Sequence, residues 1–209
     1  MLSFITLGKI VTADTQTEAK ALFLNRRRYG IGGVIFEPEF AIPKWTDAEK
    51  SRLSDLFCEI DATEIDDIRH SHLPDWEQLS QNITLNMFRL AREFNTTPNP
   101  RSLRFVFGKA FDFKPHCDLG AVDGWLHLHV EGDEGLVCAN PIGDEPVNLK
   151  LTKPFGDNFD CDEFNRLATV ENKIELMPLK PGQAIAFDHT MGHKSGKGKN
   201  FRIPTFATS

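Results

Sequence analysis

The stretch GWLHLHVEGDEGLVCAN, residues 124–140, contains two short apolar segments separated by glycine and acidic residues. In the first segment, apolar side chains alternate with aromatic and imidazole side chains. The two alternating sets are Leu126, Leu128 and Val130, and Trp125, His127 and His129. Alternation with a period of two is typical of a β-strand that buries one face. The stretch therefore predicts two consecutive strands joined by a Gly- and Asp-containing turn.

Similar short segments lie on both sides of this stretch, so that seven of them fall between residues 102 and 208. The others are SLRFVFGKAF (102–111), VNLKL (147–151), IELMPL (174–179), QAIAF (183–187) and RIPTFAT (202–208). Turn-forming Gly, Pro and Asp residues separate them. Many short strands with turn residues between them predict a β-sandwich or small barrel.

The first hundred residues have a different pattern, which we interpret as mainly helical. Thr15 or Thr17 is a suitable N-cap and Gly30 a suitable end for the first helix. The predicted helices are residues 17–30, 46–60 and 76–94, and the predicted strands are the N-terminal segment and residues 32–37. We expect an α+β fold in one domain, in which helices of residues 1–100 buttress an outer face of a β core formed by residues 101–209.

Composition limits the function further. The chain has 209 residues and a net charge of -6, with acidic residues spread along it, which argues against nucleic acid as a partner. No apolar run is long enough to span a bilayer. The four cysteines have no CxxC spacing, as expected of reduced thiols in a cytoplasmic protein. The oligomeric state stays open.

Three residues form a candidate metal site. His116 and Asp118 are two positions apart, so both side chains point to the same side of an extended segment. His193 follows a strand that begins after Pro181 and Gly182 at the far end of the β region. Two imidazoles and one carboxylate can bind Fe(II) on one face and leave adjacent coordination positions open for other ligands. We therefore predict that His116, Asp118 and His193 are the metal ligands and the catalytic centre.

Arg202 begins the final predicted strand, nine residues after His193. A guanidinium offers two parallel N–H donors to a carboxylate, which is a more directional contact than a lysine could make. Apolar neighbours such as Phe201 and Ile203 favour a buried position. Arg202 is therefore a candidate binding residue for an anionic ligand of the metal.

The order PHCD (115–118), PGQAIAFDHTMGH (181–193) and FRIPTF (201–206) resembles the Fe(II)/2-oxoglutarate-dependent dioxygenase superfamily. The resemblance implies a double-stranded β-helix (a jelly-roll, cupin-like core), iron bound by the three ligands, and 2-oxoglutarate bound by Arg202. Many members place a Ser or Thr two residues after this Arg; here Pro204 stands there and Thr205 follows. The implied reaction decarboxylates 2-oxoglutarate and oxidises a C–H bond, and Asp118 leaves no vacant ligand position for halide.

Two alternatives remain open. His127, His129 and Glu134 resemble the His-x-His-x4-Glu element of cupins, and His193 could complete a metal site that does not use 2-oxoglutarate. Residue 121 is Ala where that element has Gly, which counts against it. The other alternative is a non-catalytic β-helix binding protein, which the complete set of ligands disfavours.

For the substrate, we expect a small molecule, such as an amino acid or a secondary-metabolite intermediate, that reacts with dioxygen. Trp125 and His127 are candidate substrate-binding residues, and Arg104 and Lys109 are further possibilities. The basic segment 194–202 is interpreted as a solvated loop, or as a surface that attracts an anionic co-substrate or a carboxylate-bearing substrate. Residues 153–165 either connect two strands or cover the site. The arginines at 26–28 lie near the predicted end of a helix, where positive charges interact favourably with the helix dipole.

Overall fold

A computed structural model describes residues 4–54, 57–59, 77–94, 100–109, 114–152 and 158–207. Within these ranges, no helix is both long enough and apolar enough to cross a membrane. The helices are α1 (Gln16–Leu24), α2 (Arg26–Tyr29), α3 (Asp47–Ser54), α4 (Glu77–Phe94) and α5 (Cys161–Asn165), and α5 continues into a π-helical turn, Arg166–Val170.

The strands of the described ranges are β1 (Phe4–Thr6), β2 (Lys9–Thr12), β3 (Ile31–Phe36), β4 (Phe57–Glu59), β5 (Pro100–Arg104), β6 (Val106–Lys109), β7 (Trp125–Gly132), β8 (Val137–Pro141), β9 (Asn148–Lys150), β10 (Ile174–Pro178), β11 (Ala184–Phe187), β12 (Gly192–Lys194) and β13 (Lys199–Ala207). All seven predicted segments form strands, and the segment 102–111 is divided into β5 and β6.

The described strands form three sheets. The main sheet has the order β2-β3-β11-β7-β13-β5-β4, with β6 also paired to β13; the smaller sheet has the order β10-β8-β12, and β1 pairs with β9 in a separate two-stranded sheet. From β6 onward the chain passes between the main and the smaller sheet: β7, β11 and β13 lie in the main sheet, and β8, β10 and β12 in the smaller one. This alternation of antiparallel strands between two sheets is a jelly-roll topology. The predicted fold class is confirmed.

The helices pack on the outer face of the main sheet, as predicted. Phe23 of α1 and Phe94 of α4 are fully buried there, and the Phe94 ring stacks on that of Phe36 in β3 with centroids 4.9 Å apart. The buried residues of α4 include Ile83, Met87, Leu90 and Ala91, which recur at helical spacing. This apolar stripe explains why α4 docks along the sheet.

The N-terminal hundred residues also contribute more β structure than predicted. β2 and β3 pair in parallel, and β3 pairs antiparallel with β11, so both extend the main sheet. The predicted helix 46–60 is wrong at Phe57–Glu59, because these residues form β4 and pair with β5. Backbone groups at the edge of β5 gain ladder hydrogen bonds from this pairing, and such tertiary contacts override a weak helical preference.

Candidate metal site and adjoining pocket

His116 and His193 are held opposite each other by backbone pairing. The N–H of each residue donates to the carbonyl of the other, with both N···O distances 2.8 Å. Residues paired in this way across antiparallel strands direct their side chains to the same face, and the residue two positions after His116 also lies on that face. Asp118 is that residue. His193 therefore lies on a short strand, β12, and not on a loop as predicted.

The three predicted ligands meet in space. One candidate ligand atom from each of His116, Asp118 and His193 lies within 4.8 Å of the others, and His193 Nε2 is 3.3 Å from Asp118 Oδ2. Ligand atoms bound about 2.1 Å from one ion at right angles lie about 3 Å apart. The observed separation therefore suits a single transition-metal ion.

Backbone carbonyls fix which nitrogen of each imidazole is available. His116 Nδ1–H donates to Lys114 O at 2.9 Å, and His193 Nδ1–H donates to Met191 O at 3.2 Å. A carbonyl can only accept, so each neutral ring has its proton on Nδ1 and a lone pair on Nε2. Metal-binding histidines are oriented by this type of hydrogen bond from the other nitrogen.

The electrostatics around His193 favour a cation. Burial, together with the nearby His116, lowers the pKa of His193 to about 3. At neutral pH its Nε2 lone pair therefore faces a carboxylate oxygen of Asp118, and two acceptors at this distance repel each other. A metal ion between them removes the repulsion. The donor set, two imidazoles and one carboxylate, fits iron(II) with open coordination positions.

A buried ion pair supports the segment that leads to His193. Arg26 Nε–H donates to Asp188 Oδ2 at 2.8 Å, and both side chains are 3% exposed. Asp188 Oδ1 in turn accepts from the N–H and the hydroxyl of Thr190. Arg26 also donates to Val122 O, in the loop that follows Asp118. Arg26 thus ties together the two loops adjoining the candidate ligands, whereas the sequence had suggested only a helix-end role.

A pocket of about 210 Å³ opens beside the three ligands. Its lining includes the predicted Arg202, Trp125 and His127, as well as Arg104. Sequence reasoning missed several further lining residues, which are Val106, Leu136, Phe187, Ser195 and Pro204. Two guanidinium groups and one carboxylate, that of Asp118, are the charged lining groups. The pocket therefore suits an anionic ligand.

Arg202 is half-buried at the pocket wall. Its Nη1–H donates to Ser195 Oγ at 3.4 Å, and it lies opposite His129 on β7 and Val106 on β6. Burial, and then the positive charge of Arg104, lower the pKa of Arg202 from its usual value, although a guanidinium stays protonated. A partly buried cation with one weak neutral partner is suited to bind a carboxylate.

The structure does not bring Thr205 to this pocket. Arg202 and Thr205 are three residues apart on β13, so their side chains point to opposite faces of the sheet. Thr205 lies opposite Leu103, which belongs to the core on the helix side and does not line the pocket. The predicted role of Thr205 in holding a co-substrate therefore has no support from its position.

The cupin-like set of ligands does not assemble. All four of its residues are described, and among the described residues only His116, Asp118 and His193 bring three potential ligand atoms together. Glu134 Oε2 instead accepts from the Lys197 N–H at 3.0 Å. His129 is fully buried, and neither of its ring nitrogens has a hydrogen-bond partner in the part of the chain that the structure describes. His127, by contrast, reaches the pocket wall.

For the two remaining predicted segments, 194–202 and 153–165, the structure tests part of each prediction. Of the basic residues in segment 194–202, only Arg202 lines the pocket beside the ligands, and Lys199 pairs with Asp47 at 3.2 Å. Within the segment 153–165, Cys161–Asn165 forms the short helix α5, which is capped by Asp160. Residues 153–157 lie outside the described ranges, so the choice between a connection and a cover of the site stays a prediction.

No protein-family model and no curated protein matches the sequence. Among solved structures, the chain is similar to an oxidoreductase of the 2OG-Fe(II) oxygenase family from Burkholderia pseudomallei, with 12% identity over 96% of this chain and 95% of that one and a TM-score of 0.47. It is similar to the non-heme iron oxygenase OrfP in complex with Fe, with 10% identity over 93% of this chain and 78% of that one and a TM-score of 0.49. An N-substituted L-amino acid dioxygenase from Burkholderia ambifaria AMMD has 12% identity, coverages of 98% and 94%, and a TM-score of 0.41. At these identities and TM-scores, the chemistry of the site has to be argued from its own geometry.

Proposed function

We propose that the protein is an Fe(II)/2-oxoglutarate-dependent dioxygenase that oxidises a small molecule. The observation that carries the proposal is the convergence of His116, Asp118 and His193. In both histidines the Nδ1–H group donates to a backbone carbonyl, which leaves Nε2 available for a metal. Arg202 in the adjoining pocket supplies the second requirement, a cation for the distal carboxylate of the co-substrate.

Each residue has a definite task in this proposal. The two imidazole Nε2 atoms and one Asp118 oxygen would hold the metal, and this donor set leaves coordination positions open for other ligands. When bound, iron(II) supplies the oxygen activation that couples decarboxylation of 2-oxoglutarate to oxidation of a substrate C–H bond. Arg202 orients 2-oxoglutarate through its distal carboxylate. Trp125 and Phe187, whose rings are 6.2 Å apart at 78°, form an apolar wall that excludes water.

His127 has a positioning role in the pocket. It is 6% exposed, its Nε2 has no hydrogen-bond partner among the described residues, and burial lowers its pKa well below the usual value. It is therefore a neutral group whose free nitrogen can hydrogen-bond to a bound ligand. We assign Trp125 and His127 to contacts with substrate or co-substrate.

The proposal is tested by anaerobic spectroscopy. Iron(II) and then 2-oxoglutarate are added to the purified protein, and the weak visible charge-transfer band of the chelated complex is measured. We expect the band in the wild type and its loss in His193→Ala. Iron that binds without any band on addition of 2-oxoglutarate would refute the use of this co-substrate.

Substitution Arg202→Gln is expected to weaken 2-oxoglutarate binding by about tenfold or more, because a charge-assisted hydrogen bond contributes about 1.5–3 kcal/mol. Titration of the charge-transfer band gives the dissociation constant. Iron affinity, measured by equilibrium dialysis, should stay within about twofold of the wild type, since Arg202 is not a ligand. Thr205→Val is the matched control on the same strand and should leave 2-oxoglutarate binding unchanged.

A further inference from the structure

Arg104 is a second cation of the pocket that the proposed co-substrate does not need. We propose that Arg104 binds a carboxylate of the primary substrate, and that this substrate is a small carboxylic acid. The inference rests on the proposed function, because it assumes that 2-oxoglutarate occupies Arg202. It goes further by naming the chemical class that the enzyme oxidises.

The register of the main sheet places Arg104 on the pocket face. Thr205 lies opposite Leu103 and Arg202 lies opposite Val106, so Arg104 lies opposite Pro204. Diagonal neighbours on adjacent antiparallel strands are about 7–8 Å apart, within reach of long side chains. Arg104 and Arg202 therefore stand side by side along one wall, and both line the pocket.

The two arginines differ in their surroundings. Arg202 is half-buried against Ser195, whereas Arg104 is exposed to solvent. In the described part of the chain, the Arg104 side chain has no ion pair, and its positive charge lies close enough to Arg202 to lower the pKa of Arg202. The half-buried guanidinium of Arg202 thus suits a co-substrate that must chelate the metal first. The exposed guanidinium of Arg104 suits a molecule that enters the pocket afterwards.

Formal charges indicate which anion fits. With iron(II) held by Asp118 and doubly charged 2-oxoglutarate held by Arg202, the charges of these four groups cancel. Arg104 then remains as one unmatched positive charge at the wall. A carboxylate carries one negative charge and matches it, whereas a phosphate monoester carries about 1.5 to 2 at neutral pH. A guanidinium also binds a carboxylate through two parallel hydrogen bonds.

The size of the pocket limits the rest of the molecule. Its volume is about 210 Å³, below the roughly 300–1,000 Å³ of sites for drug-sized ligands. The co-substrate takes part of this space. Trp125 on β7 and Phe187 on β11 are paired and line the pocket on the same sheet as the two arginines, so the carbon to be oxidised belongs to a compact, largely apolar portion of the acid.

The test uses acid and amide pairs on the anaerobic iron(II)–2-oxoglutarate complex. The probes are the twenty L-amino acids, their N-acetyl derivatives and the corresponding 2-hydroxy acids, each compared with its primary amide. Binding is followed by perturbation of the charge-transfer band and by calorimetry. We expect at least one acid to bind, its amide to bind about tenfold more weakly or worse, and Arg104→Gln to remove this difference. Arg28→Gln, at an exposed arginine outside the pocket lining, is the control.

Three results would overturn the inference. Arg104→Gln could weaken the binding of 2-oxoglutarate itself by as much as Arg202→Gln does, which would make Arg104 part of the co-substrate site. Acids and amides could bind equally well, or none of the acids could perturb the wild-type complex. In each of these cases the band with 2-oxoglutarate still forms, and the proposed function survives. If the band does not form, the proposed function and this inference both fail.

Discussion

Arg26→Met is expected to lower the free energy of unfolding by about 3–5 kcal/mol, because it leaves the Asp188 carboxylate buried without its partner. Both side chains of the pair are 3% exposed, so water cannot replace the lost contact. The measurement is urea unfolding of the metal-free protein. We also expect weaker metal binding, since Asp188 holds Thr190, and the Met191 carbonyl next to it orients His193.

Two controls separate the ion pair from general damage. Arg28→Met changes an exposed arginine on the same helix and should alter the free energy of unfolding by no more than about 0.5 kcal/mol. The double variant Arg26→Met with Asp188→Leu removes both charges and should recover much of the loss. A loss below about 1 kcal/mol in Arg26→Met alone would contradict the importance of the pair.

The metal-free protein should lose stability as the pH falls from 6.5 toward 4. Burial, and then the charge of Arg202, lower the pKa of His129 to about 4. The unfolded chain takes up this proton below about pH 6.5, while the folded protein does not, so folding is increasingly opposed in this window. One histidine shifted in this way costs about 2 kcal/mol at pH 5. His127 and His193, whose pKa values burial also lowers, add to the loss in the same direction.

The variant His129→Leu isolates the contribution of His129 to the loss of stability at low pH. Its free energy of unfolding should fall less steeply between pH 6.5 and 5, because the variant takes up about one proton fewer than the wild type when it unfolds. At pH 7 it should be close to the wild type, because the neutral ring of His129 has no hydrogen-bond partner to lose. An unchanged slope would show that His129 does not govern the acid sensitivity. Metal must be absent, since binding to His116 and His193 has its own pH dependence.

The sequence predicted the features that depend on local periodicity. The alternation in β7 and the turn residues between segments were sufficient to predict the strands and hence the two-sheet fold. The spacing of His116 and Asp118, with a distant His193, was sufficient to predict the ligands that the structure brings together. Each of these signals is contained in one short segment, or in the order in which a few motifs follow one another along the chain.

What the sequence did not predict depends on pairing between distant segments. Residues 192–194 are too short to show alternation, and β12 exists because its backbone pairs with β8. Arg26 and Asp188 are far apart in the chain, and nothing local distinguishes Arg26 from the arginines beside it. For Thr205 a usable signal was present: it is an odd number of residues from Arg202, so a regular strand directs the two side chains to opposite faces.

The pairing of β3 with β11 also limits how the protein can be divided. β11 leads directly to the loop before His193, and β3 occupies the edge that β11 would otherwise present. A fragment starting near residue 100 would leave that row of backbone N–H and C=O groups open, and open strand edges recruit other chains. Such a fragment is expected to form intermolecular sheets and to aggregate, even though it contains His116, Asp118 and His193.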